Sequence, residues 1–527
     1  KTHFDKKMRL SFLAALFLAI VGTQADVLDD YVQDGDPTFS WFDTGLVLHG
    51  QTGPFNKATT WTGKILNVTT QSWLTPEDSS QPIWWHLLLV ITPDDESVRR
   101  PVAEGENQTF IMYIDGYKNG QIPGATDEEV VASAEMSVST GLTAVMIFQI
   151  PNESIVFPSD PTQKSRSEDA IIAFTWDHYL KDMSNPNWIL QLPMVKSVIR
   201  AQDAIEEYMG LEGKTEWVVS GASKRGWTTW LSAVADANYK KRIVAIAPMV
   251  YDMLNFRENL HHQYRAYGGW SFAFEDYWDM NVTGRLDAEN ATSLFAVIDP
   301  FAYKERLTMP KLVIDTCGDE FFTIDDWAYW LNKDGGLPGT NHYLMAPNTE
   351  HSEATGILEI VPAIAAFVNG LMSVGVEEIP QFSWTVENST GNITVVLDDD
   401  APTPKAVTKW YATTCNAERR DFRLVNIDDP CTCGIGADGG CLNLKVLWHK
   451  EVIEPEADGR TYKAWMAPPS DGTWGAFLVD LQFDSTSGVG WPIDSYSVYE
   501  FTTQVSIVPN TFPFEDCEGS DCQGTLV

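Results

Sequence analysis

Residues 216–235 read EWVVSGASKRGWTTWLSAVA. Trp217, Val218 and Val219 are a short apolar run of strand type, and Gly221 to Gly226 form a turn of mostly small residues around Ser223. Trp227, Trp230, Leu231 and Val234 then recur at helical spacing. A strand, a tight turn with a central Ser and a helix lift one hydroxyl above a sheet. The first peptide N–H groups of the helix then face any negative charge that forms there. The turn departs from the usual G-x-S-x-G, because Gly226 comes three residues after Ser223 and Arg225 takes the expected glycine's place. A Gly-Ser turn ahead of a helix is also ordinary capping chemistry. Lys224 and Arg225 put two cations at a helix N-terminus, where the macrodipole disfavours each by roughly 0.3–1 kcal/mol. Either acidic neighbours neutralise them, which is the simpler account, or they bind a carboxylate of a substrate.

A serine nucleophile needs a base, and the base needs an orienting acid. In α/β-hydrolases these follow in the order Ser, acid, His. Of the nine histidines, His342, His351 and His449 come after Ser223 and the acid candidates. His342 precedes a strand and His449 lies in the C-terminal region. His351 follows the last strand of the first region, in the loop PNTEHS (347–352). Asp319 sits in a turn just beyond the strand KLVID (311–315), with Glu320, Asp315 and Asp252 as rivals. Taken singly, Asp319 reads as a turn residue and His351 as a surface histidine. Ser223, Asp319 and His351 nevertheless all fall beyond the carboxyl ends of strands, where open α/β sheets bind ligands. They form the expected triad. The expected oxyanion donors are the N–H of Lys224 and one from the loop 115–119, at Gly116 or Tyr117.

These residues need a sheet to hold them. WWHLLLVIT (84–92), TFIMYI (109–114), AVMIFQI (144–150), RIVAIAPMV (242–250), KLVID and residues 343–346 read as strands. Helical patterns at 167–182, 192–209, after Ser223 and at 353–371 alternate with them. The pattern predicts an α/β fold, a mostly parallel sheet with helices on both faces, over residues 26–378. Residues 26–82 are expected to wrap this unit. Residues 251–310 are too long for a simple connection and rich in His, Tyr and Trp; a lid or pocket wall, or an aromatic helical subdomain, is expected there. From about 379 to 512 the chain reads as strands and turns, an all-β, sandwich-like domain. An acidic tail, 513–527, follows.

The 527 residues carry a net charge of −37, which argues against nucleic acid and anionic membranes as partners. Lys6, Lys7 and Arg9 precede an apolar run at 10–21 and small residues up to Ala25. This reads as a secretory signal cleaved after Ala25, too short to be a comfortable anchor, leaving a secreted protein with no membrane span. Seven sequons, at Asn67, Asn107, Asn152, Asn281, Asn290, Asn388 and Asn392, fit secretion. Six of the seven cysteines lie beyond residue 400, and Cys317 is expected to be the free thiol. Cys431, Cys433 and Cys441 have zinc-like spacing, but no His is close and an oxidising compartment favours disulfides. No metal and no cofactor are expected.

The stretches GASKRGWTTW (221–230), SEDAIIAFTWDHYL (167–180), QIPNESIVF (149–157), MPKLVIDTCGDEFF (309–322) and APNTEHS (346–352) resemble the PhoPQ-activated pathogenicity-related family. The turn after Ser223 is also similar to that of glucuronoyl esterases, with Lys224 where those enzymes place an Arg at the oxyanion site. The family resemblance implies an α/β-hydrolase fold with Ser223, Asp319 and His351 as triad. It also implies dipeptidyl-peptidase-like activity or growth repression. The expected function is a secreted serine hydrolase acting on a small ester or peptide through an acyl-enzyme. The alternative is an extracellular signal on a hydrolase scaffold, meeting a receptor through its C-terminal domain.

Overall fold

The apolar runs assemble into one nine-stranded sheet. The computed structural model describes residues 27–52, 58–332, 335–373, 375–427, 430–437, 440–485 and 498–527. The expected export segment lies outside them. In chain order the strands are β1 (Ser40–Gln51), β2 (Thr60–Ser72), β3 (Ile83–Pro93), β4 (Gln108–Ile114), β5 (Thr143–Ile147), β6 (Thr215–Ala222), β7 (Ile243–Met249), β8 (Lys311–Thr316) and β9 (Asn341–Ala346). Their order across the sheet is β1-β2-β3-β5-β4-β6-β7-β8-β9. From β5 to β9 every neighbouring pair is parallel, whereas β1, β2 and β3 add an antiparallel flank.

That flank corrects one expectation. Residues 26–82 do not wrap the sheet but supply β1 and β2. In β2, TWTGKILNVTTQS, burial follows alternation closely, and its Thr residues hide a strand signal that hydrophobicity alone does not show.

Helices α1 (Glu128–Thr140), α3 (Gln191–Met209), α4 (Lys224–Ala237) and α7 (Ile357–Ser373) cover the sheet, with α2 (Asp169–Lys181), α5 (Phe256–Tyr267) and α6 (Glu289–Ile298) in a further layer. Alternate residues of β6 serve the two faces. Trp217 and Val219 pack with α3 and α4, while Val218 shares a cluster with residues of α1 and α7. This is the two-faced burial that lets a parallel strand be apolar throughout.

Residues 251–310 hold α5 and α6 and pack their rings on α2 and α4. Trp227 stacks on Tyr251 with centroids 4.6 Å apart, and Trp176 lies 5.4 Å from Tyr277.

The C-terminal strands pair antiparallel. β10 (Phe382–Val386), β11 (Ile393–Leu397) and β14 (Thr461–Ala464) form one sheet. β12 (Ala406–Thr413), β13 (His449–Val452), β15 (Gly475–Asp484), β16 (Val498–Thr502) and β17 (Ser506–Val508) form another. One apolar cluster runs from Ala245 and Leu312 of the large sheet through α7 to Val395, Phe477 and Phe501, so the core is continuous across residues 378–379. Disulfides join Cys415 to Cys433, Cys431 to Cys441 and Cys517 to Cys522, and Cys317 is free and buried.

Residues 513–527 fold back on the 251–310 segment. Trp270 N–H donates to Thr525 O (2.9 Å), Val527 N–H to Trp270 O (2.8 Å), and the buried Trp270 indole to Cys522 O (2.8 Å). Among the sequons, Asn152 is fully buried and donates to Trp85 O and Gln149 O, which leaves no room for a glycan. No helix of the described residues is long and apolar enough to cross a membrane.

A buried ion pair fastens the C-terminal region to the loop after β8. Arg420 Nη2 lies 2.8 Å from Asp325 Oδ2, and His262 Nε2 lies 2.8 Å from Asp325 Oδ1. Burial alone would raise the Asp325 carboxyl, but Arg420 and His262 outweigh it and hold it down at about 2. A carboxyl held below its unfolded value stabilises the fold above that value, near 3.9, and ceases to as pH falls toward 2. Arg420→Met should therefore cost about 3–5 kcal/mol at neutral pH. In urea unfolding the gap to the wild type should narrow as pH falls from about 4 to 2.

Candidate active site

Strand β6 ends at Ala222, and Ser223 then turns the chain into α4 with φ 58° and ψ −127°. A positive φ on a non-glycine residue is strained and persists only where its surroundings enforce it. Here the Ser223 N–H donates to Met249 O of β7 (2.9 Å), and its carbonyl accepts the first bond of α4, from Trp227 N–H (2.9 Å). Two glycines let the helix close onto the sheet. A Cβ on Gly221 would lie 2.9 Å from Arg225 O, and one on Gly226 would lie 2.4 Å from Met249 O. The Ser223 side chain makes no capping bond. Its Oγ lies instead 2.8 Å from His351 Nε2.

The other imidazole nitrogen, Nδ1, lies 2.7 Å from Asp319 Oδ2. Asp319 is buried, and its Oδ1 accepts from the N–H groups of Phe321 (2.6 Å) and Phe322 (3.0 Å), which fixes the carboxylate plane. Phe321 and Phe322 also flank the imidazole, with ring centroids 4.4 and 5.7 Å away. Glu320, the nearest rival, accepts the backbone N–H of His351 (2.9 Å) rather than the ring. Burial, then Asp319, push its carboxyl up to about 7. Asp315 and Asp252 are buried, and each is pushed well up, first by burial and then by neighbouring carboxylates. Ser223, His351 and Asp319 thus converge from the loops after β6, β9 and β8.

The two cations after Ser223 are neutralised within the protein. Lys224 Nζ lies 2.8 Å from Glu168 Oε2 and 2.9 Å from Asp169 Oδ2, and Arg225 Nη2 lies 2.5 Å from Glu168 Oε1. Arg225 Nε also donates to Ile150 O (2.6 Å). Burial would raise the Glu168 carboxyl, but Arg225 and Lys224 hold it down at about 2. Of the two accounts that the sequence leaves open, these ion pairs favour the simpler one, neutralisation by acidic neighbours. Glu168 caps α2 in nearly the conformation that Ser223 adopts ahead of α4, φ 52° and ψ −129°. Glu168 and Asp169 carried no distinct sequence signal, because acids in the first turn of a helix are common.

Among the oxyanion candidates, the Lys224 N–H heads α4, where no intrahelical carbonyl can take it. The Gly116 N–H already donates to Asp115 Oδ1 (2.7 Å), so in this arrangement it does not face a substrate. A Cβ on Gly116 would meet the Arg225 guanidinium at 2.6 Å. Tyr117 has φ 91°, and its hydroxyl donates to Asp127.

Ser223, Lys224 and Phe321 stand between two cavities. A small apolar one of about 40 Å³ is walled by Trp176, Trp227, Tyr251, Phe256 and Tyr277. A larger one of about 490 Å³ opens between the sheet, α1 and α7 and includes His351 in its wall. A second Ser–His contact shows what a structural pair looks like. Ser197 Oγ lies 3.0 Å from His86 Nε2, but both residues are fully buried and Ser197 is also held by Gln71 and Thr70. Burial pushes His86 down to about 4, and neither of the two cavities that Ser223 lines includes it.

The chain is 34% identical to autocrine proliferation repressor protein A of Dictyostelium discoideum over 525 residues, covering 97% of this chain and 95% of that one. Among solved structures, it is similar to acetyl xylan esterase 1 from Thermoanaerobacterium sp. JW/SL YS485 at 12% identity and a TM-score of 0.40, over 65% of this chain and 92% of that one. A Mycobacterium tuberculosis puromycin-hydrolyzing peptidase gives 13% identity and a TM-score of 0.36, over 62% of this chain and 46% of that one. Likenesses this distant carry no argument about the reaction. The family model described as PhoPQ-activated pathogenicity-related protein matches residues 28–423. With that match and the long relative beside it, the chain belongs to the PhoPQ-activated pathogenicity-related family.

Proposed function

We propose that the protein is a serine hydrolase that moves an acyl group from a small ester or peptide onto Ser223 and then to water. The observation that carries this reading is the hydrogen-bonded chain Asp319–His351–Ser223, with spacings of 2.7 and 2.8 Å, whose Ser223 lines two cavities. Ser223 Oγ attacks the substrate carbonyl carbon as its proton passes to His351 Nε2. Asp319 holds the Nδ1–H and stabilises the imidazolium. The oxyanion meets the Lys224 N–H, and the positive end of α4 stabilises it further. His351 then protonates the departing alkoxide or amine, and a water repeats the sequence on the acyl-enzyme. The aromatic cavity encloses one apolar substituent of the substrate. Release of dipeptides is the finer expectation that comes with the family, as is action outside the cell, for which three disulfides and the predicted signal speak.

A second reading rests on the Dictyostelium relative, whose name describes an autocrine repressor of proliferation and whose likeness extends through the C-terminal sheets. On it, the protein is an extracellular growth-repressing signal that meets a receptor through the disulfide-bearing region. Ser223→Ala separates the two: conditioned medium containing the variant should lose growth repression if hydrolysis drives it and keep it if the scaffold alone signals.

For the hydrolase reading, a panel of p-nitrophenyl esters and dipeptidyl p-nitroanilides should include at least one turned over by the wild type. Ser223→Ala should lower kcat by about a thousandfold or more. Asp319→Asn should lower it by about 10⁴-fold with the fold intact, because the imidazole then adopts the wrong tautomer. Turnover by Ser223→Ala at the wild-type rate contradicts the assignment.

A further inference from the structure

The loops after β8 and β9 carry the acid and the base, and three consecutive residues of the first hold two of the second. The Gly318 N–H donates to Thr349 O (2.9 Å). Asp319 Oδ2 lies 2.7 Å from the His351 ring at Nδ1. Glu320 Oε2 accepts the His351 backbone N–H (2.9 Å). The His351 N–H therefore finds its acceptor in a side chain of the facing loop, while its own turn closes two residues later, Glu353 N–H to Glu350 O (2.9 Å).

Glu320 is itself anchored. The Ser271 hydroxyl donates to Glu320 O, and Arg423 Nη1 donates to the same hydroxyl oxygen (3.1 Å). Ser271 and Arg423 are buried, and Arg423 is paired with Asp421 (2.7 Å). The next carbonyl, Phe321 O, accepts from Gln263 Nε2 of α5 (2.7 Å). The backbone that carries the Glu320 side chain is thus fixed by α5, by residue 271 and by the C-terminal region.

The three ties differ in kind. The first joins uncharged groups, and the second belongs to the triad. The third depends on charge, because a carboxylate accepts a peptide N–H roughly twice as strongly as a neutral acid does. Burial and then Asp319 push the Glu320 carboxyl up to about 7, against the opposing effect of His351. Asp319 from its own loop and His351 from the facing loop are the charged groups that act on it, and Arg423 stands behind the Ser271 hydroxyl. The carboxyl is therefore neutral below about 7 and charged above it. A histidine base loses its proton over the same interval.

We propose that Glu320 is a positioning residue for His351, whose charged carboxylate fixes the backbone of the base and favours the imidazolium formed during attack. The inference rests on the hydrolase reading and adds a pH control to that site. Asp319 aims the ring, and Glu320 fixes the point from which the ring projects. When Glu320 takes up a proton, the tie weakens and its charge interaction with the imidazolium is lost.

Glu320→Gln keeps the shape and neutrality of the protonated acid, so the pH dependence of kcat/KM tests the role. On a p-nitrophenyl ester turned over by the wild type, the variant should be about threefold or more slower at pH about 8.5. The deficit should close to within about twofold at pH about 5.5, where the wild type is protonated at Glu320 as well. A deficit equal at both pH values, or none at the higher one, overturns the assignment. A second readout needs no turnover. With [15N]histidine in the full chain, the His351 amide is identified by its loss in His351→Gln. That amide proton should move downfield in the wild type as pH rises over the same range, and in Glu320→Gln only the smaller response to the ring's own titration should remain. An equal response in both proteins overturns the assignment. The expected amide response with no substrate hydrolysed by the wild type would remove the hydrolase reading and leave the tie. Hydrolysis with a deficit independent of pH would do the reverse.

Discussion

A single backbone position organises the molecule: Ser223 is held at positive φ between a buried strand and a buried helix. That conformation is unfavourable for a residue with a Cβ, and the fold enforces it by packing. Gly221 and Gly226 let α4 lie against β7 with no side chain between them, and the Ser223 N–H is tied to Met249 O. The displaced second glycine follows from this contact. It is residue 226 that meets the neighbouring strand, so residue 225 is free to carry a long cationic side chain. Arg225 then packs under the loop at Gly116 and joins α2 through Glu168, bringing the strained turn and two flanking segments into one polar cluster.

The histidine and the acid depend on the C-terminal strands more than a hydrolase core alone would require. Gly318, next to Asp319, is clamped between Thr349 O and Leu424, and the Leu424 N–H donates to Gly318 O (3.0 Å). Asn348, three residues before His351, exchanges two hydrogen bonds with the Trp448 backbone, at 3.1 and 2.7 Å. Met345 N–H donates to Thr502 Oγ1 (2.9 Å). The loops that aim the imidazole are therefore gripped from both sides. The continuous apolar cluster through α7 makes that grip rigid. A region that looks like an appended module thus contributes to the geometry of the site.

Much of this was legible in the sequence where a residue's type and its place in the chain coincide. The apolar runs before Ser223, Asp319 and His351 each mark a parallel strand, and a residue just past such a strand is delivered to one edge of the sheet. Position therefore pointed to His351 over His342 and His449. What failed did so for physical reasons. β2 is rich in Thr, so its alternation shows in burial more than in hydrophobicity, and β1 has no buried residue at all. Lys224 and Arg225 read either as neutralised by acids or as facing a substrate anion, and sequence could not name the acids, because Glu168 and Asp169 lie more than fifty residues earlier. The tail reads as acidic and polar, while the indole of Trp270 that receives it lies some 250 residues earlier.

The central claim is that Ser223 alone among the serines is nucleophilic, because its hydroxyl is both strained toward solvent-accessible space and paired with an oriented imidazole. Intact-mass spectrometry after treatment with a fluorophosphonate, followed by peptide mapping, tests it most directly. One phosphonyl adduct per chain, confined to the peptide containing Ser223 and absent from His351→Ala, is the predicted result. A folded protein that takes up no label, or takes it up at Ser197 or another serine, would contradict the account.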